Sequence, residues 1–277
     1  MIKEYTSAPL PFVGQKRNFI GKFKKVLEQY PDNITIVDLF GGSGLLAHVA
    51  KREKPSATVI YNDYDNYSRR INNIGRTNNL LHDIRQIVGE CPRSRSIPKE
   101  IKQNILNRIE VEEQTGFVDY ITLSSSLLFS MKYMLDFKSL SGQTFYNNII
   151  QRDYKADGYL AGLNIVCKDY KELADEYKDN PNVLFLIDPP YLNTDVGTYK
   201  MSWTLSDYLD VLVILQDKPF IYFTSNKSSI IELCNWVESG KLRSNPFSRA
   251  SKIEFHAHMN YNSKYTDIML YSLSKAD

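Results

Sequence analysis

Short runs of β-branched and apolar residues recur along the chain, and each reads as a strand. They are Ile34–Leu39, Thr58–Tyr61, Ile165–Cys167, Val183–Ile187, Phe220–Thr224, Ile253–His256 and Ile268–Tyr271. Between several of them apolar residues fall at helical spacing. Leu45–Lys51 follows the first strand, and Ile230–Val237 makes a second helix. Thr204, with Asp207 three residues on, resembles a capping box and predicts a helix through Leu215. Strands alternating with helices predict an α/β sheet with helices on both faces.

The middle of the chain departs from this pattern. From about Tyr67 to Leu160 no segment reads as a convincing strand. Ile101, Ile105 and Ile109 share one helix face, and Asp119–Met134 predicts a further helix. Cys91–Pro98, with two prolines, predicts a loop, and Lys138–Asn148 a loop or hairpin. The expected organisation is an α/β domain made of residues 1–66 and 161–277, interrupted by a largely helical, basic insertion at 67–160.

Composition narrows the class without naming a function. The chain has 277 residues, 43% hydrophobic and 24% charged, which excludes disordered, collagen-like and coiled-coil chains. No apolar run approaches the roughly 18 residues of a membrane helix. Met1–Leu10 lacks the apolar core of a secretory signal. Cys91, Cys167 and Cys234 are odd in number and widely spaced, which suits neither a disulfide framework nor a zinc site. A reducing cytoplasm is the expected location, with no membrane partner.

Net charge is only +2, but it is unevenly spread. Between Tyr64 and Arg108 nine Lys/Arg outnumber four acids, and Gly240–Lys252 carries four cations and no acid. Solvated surfaces are the plainer reading of both stretches, although such patches also suit a phosphate backbone. His256 and His258 alternate on one strand face with no identifiable third ligand, so no metal is expected.

Two segments carry candidate chemistry. In Val37-Asp38-Leu39-Phe40-Gly41-Gly42-Ser43-Gly44 a strand runs into a glycine-rich turn and then a helix. Such a turn brings backbone amides close to a ligand, and Asp63, at the end of the next strand, suits ribose hydroxyls. The pattern serves NAD, FAD and S-adenosylmethionine alike, and a tight structural turn explains it nearly as well. In the second segment the apolar run Leu184–Ile187 ends in Asp188-Pro189-Pro190-Tyr191. The prolines end the strand and fix a carboxylate, a carbonyl and an aromatic ring where ligands sit in open α/β sheets.

Asp188-Pro189-Pro190-Tyr191 resembles the catalytic motif of methyltransferases acting on exocyclic amino groups of DNA bases. Phe40-Gly41-Gly42 resembles their cofactor motif, and Pro11-Phe12-Val13-Gly14-Gln15-Lys16 resembles the N-terminal motif of the Dam-like, α-group (D12 class) N6-adenine-specific DNA methyltransferases. The motif order, with an insertion before Asp188, is that of this family, and Phe223-Thr224-Ser225-Asn226 is similar to its strand ending in Ser-Asn. The resemblance implies a Rossmann-like S-adenosylmethionine-dependent methyltransferase sheet, with residues 67–160 as the target-recognition domain. It implies methyl transfer from S-adenosylmethionine to adenine N6 in double-stranded DNA, leaving S-adenosylhomocysteine and using no metal.

By the same resemblance Asp188, Pro189, Pro190 and Tyr191 are catalytic. Phe12, Gly14, Lys16, Asp38, Phe40, Gly41, Gly42, Gly44, Asp63, Cys167, Asp169 and Asp188 are the cofactor-binding set, with Cys167 expected to be buried. Asp169 reads equally as a helix cap, Phe12 and Phe40 equally as core, and Lys16 as one more cation of a basic first helix. The insertion departs from the family's aromatic-Asn-Gly-x-x-Arg and Phe-Asn-x-Pro-Phe-Gly stretches. It reads Phe129-Ser130-Met131-Lys132-Tyr133-Met134 and Gly142–Asn148 instead, so the GATC site is not carried over. Arg93, Arg95, Lys132, Asn147, Asn148 and Arg152 are the candidate DNA contacts, the two asparagines reading equally as turn residues. A restriction endonuclease is a candidate partner, and a monomer or weak dimer is expected. The competing functions are cytosine-N4 methylation, methylation of RNA, a non-catalytic DNA-binding protein of the same fold, and a nicotinamide-dependent oxidoreductase.

Overall fold

The computed structural model describes residues 3–129, 132–190, 203–225, 228–238, 247–260 and 263–273. The chain divides into two compact units. One comprises Met1–Ser7, Gln15–Asp65 and Leu160–Asp277, and the other Ala8–Gly14 and Asn66–Tyr159.

In the first unit a short 3-10 turn, Arg17–Phe19, leads into α1 (Ile20–Leu27), followed by β1 (Thr35–Asp38), α2 (Leu45–Glu53) and β2 (Thr58–Asn62). The second unit contributes α3 (Tyr67–Asn72), α4 (Ile74–Val88), α5 (Lys99–Thr115), α6 (Tyr120–Leu127) and α7 (Phe137–Ser141). The first unit then resumes with β3 (Asn164–Val166), α8 (Tyr170–Tyr177), β4 (Val183–Ile187), α9 (Leu205–Ile214) and β5 (Phe220–Ser225). It ends with α10 (Ile230–Glu238) and the hairpin strands β6 (Ser251–Asn260) and β7 (Ser263–Ser272).

The seven strands form one sheet in the order β3-β2-β1-β4-β5-β7-β6. The first five run parallel, and β7 runs antiparallel to β5 and to β6. Alternation sorts the strand residues onto two faces. Val37, Val183, Phe185, Ile187, Phe220, Tyr222, Ile268 and Leu270 face a core built with α8, α9 and α10 through Tyr170, Leu173, Tyr208, Val211, Ile230 and Cys234. On the opposite face Phe19 and Phe23 pack edge-on against Phe223 at 5.5 and 6.2 Å. The parallel strands are buried on both faces, which is why β4 reads as an unbroken apolar run. Thr204 and Asp207 form the expected capping box at the start of α9.

The second unit has its own core, which includes Leu80, Leu81, Ile84, Ile105, Ile109, Leu123, Leu127, Leu140 and Phe145. The helix expected through Met134 ends at Leu127, where Leu128 turns extended. The loop expected at Lys138–Asn148 begins instead within α7, whose N-cap Asp136 accepts from the Ser139 amide. After α7 the chain bridges back to the Cys91–Pro98 loop through Ser96 and Tyr146. Among the described residues no helix is long and apolar enough to cross a membrane.

Candidate active site

In the strand order β3-β2-β1-β4-β5 the chain reverses its winding between β1 and β4. A crevice opens at the carboxyl ends of the strands at such a reversal, and ligands of open α/β sheets bind there. Two carboxylates mark this place. Asp38 is the last residue of β1, and Asp188 directly follows the last residue of β4.

Asp38 is 1% exposed, and the amides of Phe40 and Ala47 approach its oxygens without making a well-aligned hydrogen bond. Burial, with the nearby Asp188 charge adding to it, pushes its carboxyl up to about 8, opposed in part by the amides of Phe40 and Ala47. A buried carboxylate with only such weak contacts carries a desolvation cost that a cationic or hydroxyl-bearing ligand relieves. Asp188 is raised above the ordinary carboxylate range by burial, against the lowering effect of Lys16. The Lys16 ammonium lies 2.7 Å from its carboxylate and is itself 8% exposed.

The glycine-rich turn is built for close approach. Gly42 and Gly44 hold positive φ of 50° and 71°, and Gly44 caps α2. A Cβ on Gly41 would fall 2.3 Å from the Tyr61 ring, so this glycine lets β1's turn pack onto β2. The Tyr61 hydroxyl lies 2.8 Å from the Gly42 carbonyl and 3.0 Å from the Asp63 carboxylate, to either of which it can donate. Asp63 is buried at the end of β2, and its amide donates to the Val166 carbonyl.

Phe40, which follows β1, joins an aromatic group. Phe40 packs on Tyr170 and Trp203 at 5.2 and 5.3 Å, and Trp203 packs on Tyr208 at 5.2 Å. The Tyr208 hydroxyl donates to the carbonyl of Pro190, fixing the turn that follows Asp188. Tyr208 and Trp203 carry no motif signal, since they lie on the far side of the segment that starts at Tyr191. Tyr191 and Asn226 lie outside the described residues.

The other site candidates divide clearly. Asp169 is the N-cap of α8, its side chain accepting from the Lys171 amide at 2.8 Å. Cys167 is exposed and not buried as expected, because it follows β3, the edge strand of the sheet. Phe12 and Gly14 belong to the second unit, where Phe12 meets Tyr67 edge-on at 5.8 Å and Gly14 holds φ 80°. Also in that unit Arg93, Arg95, Lys132 and Arg152 are exposed, and Arg93 donates to the Ile149 carbonyl. The amide of Asn147 donates to the Cys91 carbonyl and that of Asn148 to Leu128, so both bind the loop together. His256 contacts the Thr266 hydroxyl at 2.9 Å, and the His258 side chain lies outside the described residues. Among the described residues no three His, Cys, Asp or Glu side chains gather as a metal site.

The donor set suits an adenosine-containing cofactor. A buried carboxylate and an ion-paired one stand at adjacent strand ends beside a glycine turn, with a buried acid at the end of the second strand. Comparison with known proteins agrees. Residues 12–216 match the family model described as D12 class N6 adenine-specific DNA methyltransferase. The chain is also 39% identical over 282 residues to a Haemophilus influenzae protein named "Putative methyltransferase", covering 97% of this chain and 93% of that one.

Proposed function

This chain belongs to the D12 class N6 adenine-specific DNA methyltransferase family, and we propose that it transfers the methyl group of S-adenosylmethionine to N6 of an adenine flipped out of duplex DNA at a specific site. The observation that supports this most is the largely buried Asp188 carboxylate, held by Lys16 at the end of β4 and set beside Asp38 at the winding reversal.

Adenine N6 is a poor nucleophile because its lone pair is delocalised into the ring. The Asp188 carboxylate and the Pro189 carbonyl accept its two N–H bonds, favour a tetrahedral nitrogen and aim the lone pair outward. The same oxygens stabilise the positive charge that grows on nitrogen. Pro189 and Pro190 hold both acceptors without reorganisation, and alignment of the displacement lowers the barrier further. Tyr191 stacks on the extruded base, since a base inside the duplex is out of reach. S-adenosylmethionine would supply the methyl group on a sulfonium: the sulfur–methyl bond breaks as the nitrogen–methyl bond forms, S-adenosylhomocysteine leaves, and the methylated nitrogen releases one proton to solvent, so no metal is required.

Asp38, Phe40, Gly41, Gly42, Gly44, Asp63 and Lys16 of the first unit hold the cofactor, while Phe12 and Gly14 of the N-terminal motif are cofactor candidates by the resemblance alone. Asp169 retains one carboxylate oxygen for a ligand while capping α8, and Cys167 lies beside it. The second unit is the target-recognition domain, and exposed Arg93, Arg95, Lys132 and Arg152 approach phosphates or base edges. Asn147 and Asn148 shape the loop that presents them.

The test is incubation with labelled S-adenosylmethionine and unmethylated genomic DNA, followed by digestion to nucleosides. N6-methyladenine is the expected product. N4-methylcytosine, or label in RNA alone, would replace this reading with one of its competitors.

A further inference from the structure

The sheet places a third carboxylate on the same face as the pair already described. Asp267 lies on β7, directly across the ladder from Ser225 at the carboxyl end of β5. It is 9% exposed and lies beyond residues 12–216, the part that the family model matches. Alternation puts Asp267 and Met269 on the face opposite the α8–α10 core, because Ile268 and Leu270 belong to that core. Asp38 and Asp188 fall on the same face, since Val37 and Ile187 belong to the core too. Phe19 and Phe23 cover this face through Phe223, and Lys16 is the residue just before the 3-10 turn that carries Phe19. Three acids, Asp188 18% exposed and Asp38 and Asp267 more deeply buried, thus line one sheet face near the carboxyl ends of β1, β4 and β5, on the face where Lys16 reaches Asp188.

We propose that Asp267 is a positioning residue of the transfer reaction, which acts through Asp188 and keeps that carboxylate a stronger acceptor for the target amine than the Lys16 ion pair alone would leave it. The inference rests on the reading of Asp188 given above. Its physical basis is charge compensation. A single ammonium 2.7 Å away draws electron density from Asp188 and weakens it as an acceptor, while a second negative charge on the same face restores it. Asp267 does raise the proton affinity of Asp188, in opposition to Lys16. Among the described residues the titratable groups that act on or beside Asp188 are Lys16 from the segment before α1, Asp38 from β1, which holds its proton at neutral pH, and Asp267 from β7. Opposite Asp267 the ladder sets Ser225 on β5 and Phe255 on β6. Glu254 and His256 lie on the other face of β6, and Lys22 of α1 donates to the Glu254 carbonyl at 2.7 Å.

The experiment is the pH dependence of kcat/KM for methyl transfer to duplex DNA by the full chain and by Asp267→Asn, with Asp188→Asn as a reference. Asp188 must be ionised to accept both N–H bonds, so its titration sets the acid limb. Removing the like charge lowers the proton affinity of Asp188. The limb of Asp267→Asn is therefore expected at lower pH, with kcat down on the order of tenfold. A limb that stays in place, whatever the loss of rate, overturns the proposal, because a structural role lowers activity without moving the titration. Asp267→Ser removes the same charge and gives the same readout where the Asn variant does not fold. An acid limb of the unaltered chain near the ordinary carboxylate value of about 4 overturns the proposal with no variant at all. Full turnover by Asp188→Asn would overturn the catalytic reading itself, which is a distinguishable failure.

Discussion

The Lys16 ammonium lies 2.7 Å from the Asp188 carboxylate, and both groups are largely buried. Lys16 stands just ahead of the 3-10 turn that leads into α1, and Asp188 just after β4, so the contact ties an N-terminal segment to the strand end 172 positions later. Breaking a buried pair strands one charge without its partner. Lys16→Met is expected to cost about 3 kcal/mol of stability. Lys16 lowers the proton affinity of Asp188, so its removal also moves the acid limb of activity to higher pH, opposite in sign to Asp267→Asn. Denaturant melts and a pH–rate profile check both effects.

Asp38 makes stability depend on pH. Its folded value of about 8 exceeds the ordinary 3.8, so the folded state holds a proton that the unfolded chain releases. This contribution is present in full below the unfolded value and is lost as pH rises to about 8. The slope is at most about 1.4 kcal/mol per pH unit. Asp38→Asn removes that slope. Urea unfolding at several pH values should show the variant gaining on the unaltered chain toward alkaline pH, and parallel curves would contradict the assignment.

Gly41→Ala tests the packing of the turn. The added Cβ would meet the Tyr61 ring at 2.3 Å and the Asn62 carbonyl oxygen at 2.8 Å. The ring is held between β2 and the turn by its hydroxyl bonds, so it cannot yield cheaply. A loss of about 1–3 kcal/mol and weaker cofactor binding are expected, read by thermal melts and by titration.

Tyr208→Phe removes the hydroxyl that donates to the Pro190 carbonyl and leaves the ring in place. The expected cost is about 1 kcal/mol of stability. Kinetics should show a larger fall in kcat than rise in KM, because the turn it steadies presents the acceptors of the reacting amine. Equal effects on both constants would contradict that role.

How much of this was written in the sequence differs from element to element. β4 was legible because a strand buried on both faces has no polar positions, and its predicted and observed bounds coincide at Val183–Ile187. The start of α9 was legible because Thr204 and Asp207 satisfy each other locally. α7 was not, since a five-residue helix with only Leu140 buried shows no apolar period. Cys167 misled for a tertiary reason: whether a short apolar run is central or at the edge depends on strand order. The motif residues stood out, but the tie between Lys16 and Asp188 did not, because spatial neighbours far apart in the chain leave no periodic trace. Asp267 was passed over for a related reason. The apolar run that marks the last strand starts only at Ile268, and no motif surrounds the acid before it.

The most direct test of the proposed reaction compares the unaltered chain with Asp188→Ala in the nucleoside assay, alongside cofactor titration of both proteins. The unaltered chain should yield N6-methyladenine. The variant should bind S-adenosylmethionine with largely unchanged affinity and lose at least about 10²–10³-fold in transfer rate, as removal of a transition-state hydrogen-bonding group does. Comparable N6-methyladenine from the variant would contradict the assignment of Asp188, and with it the site built around the reversal between β1 and β4.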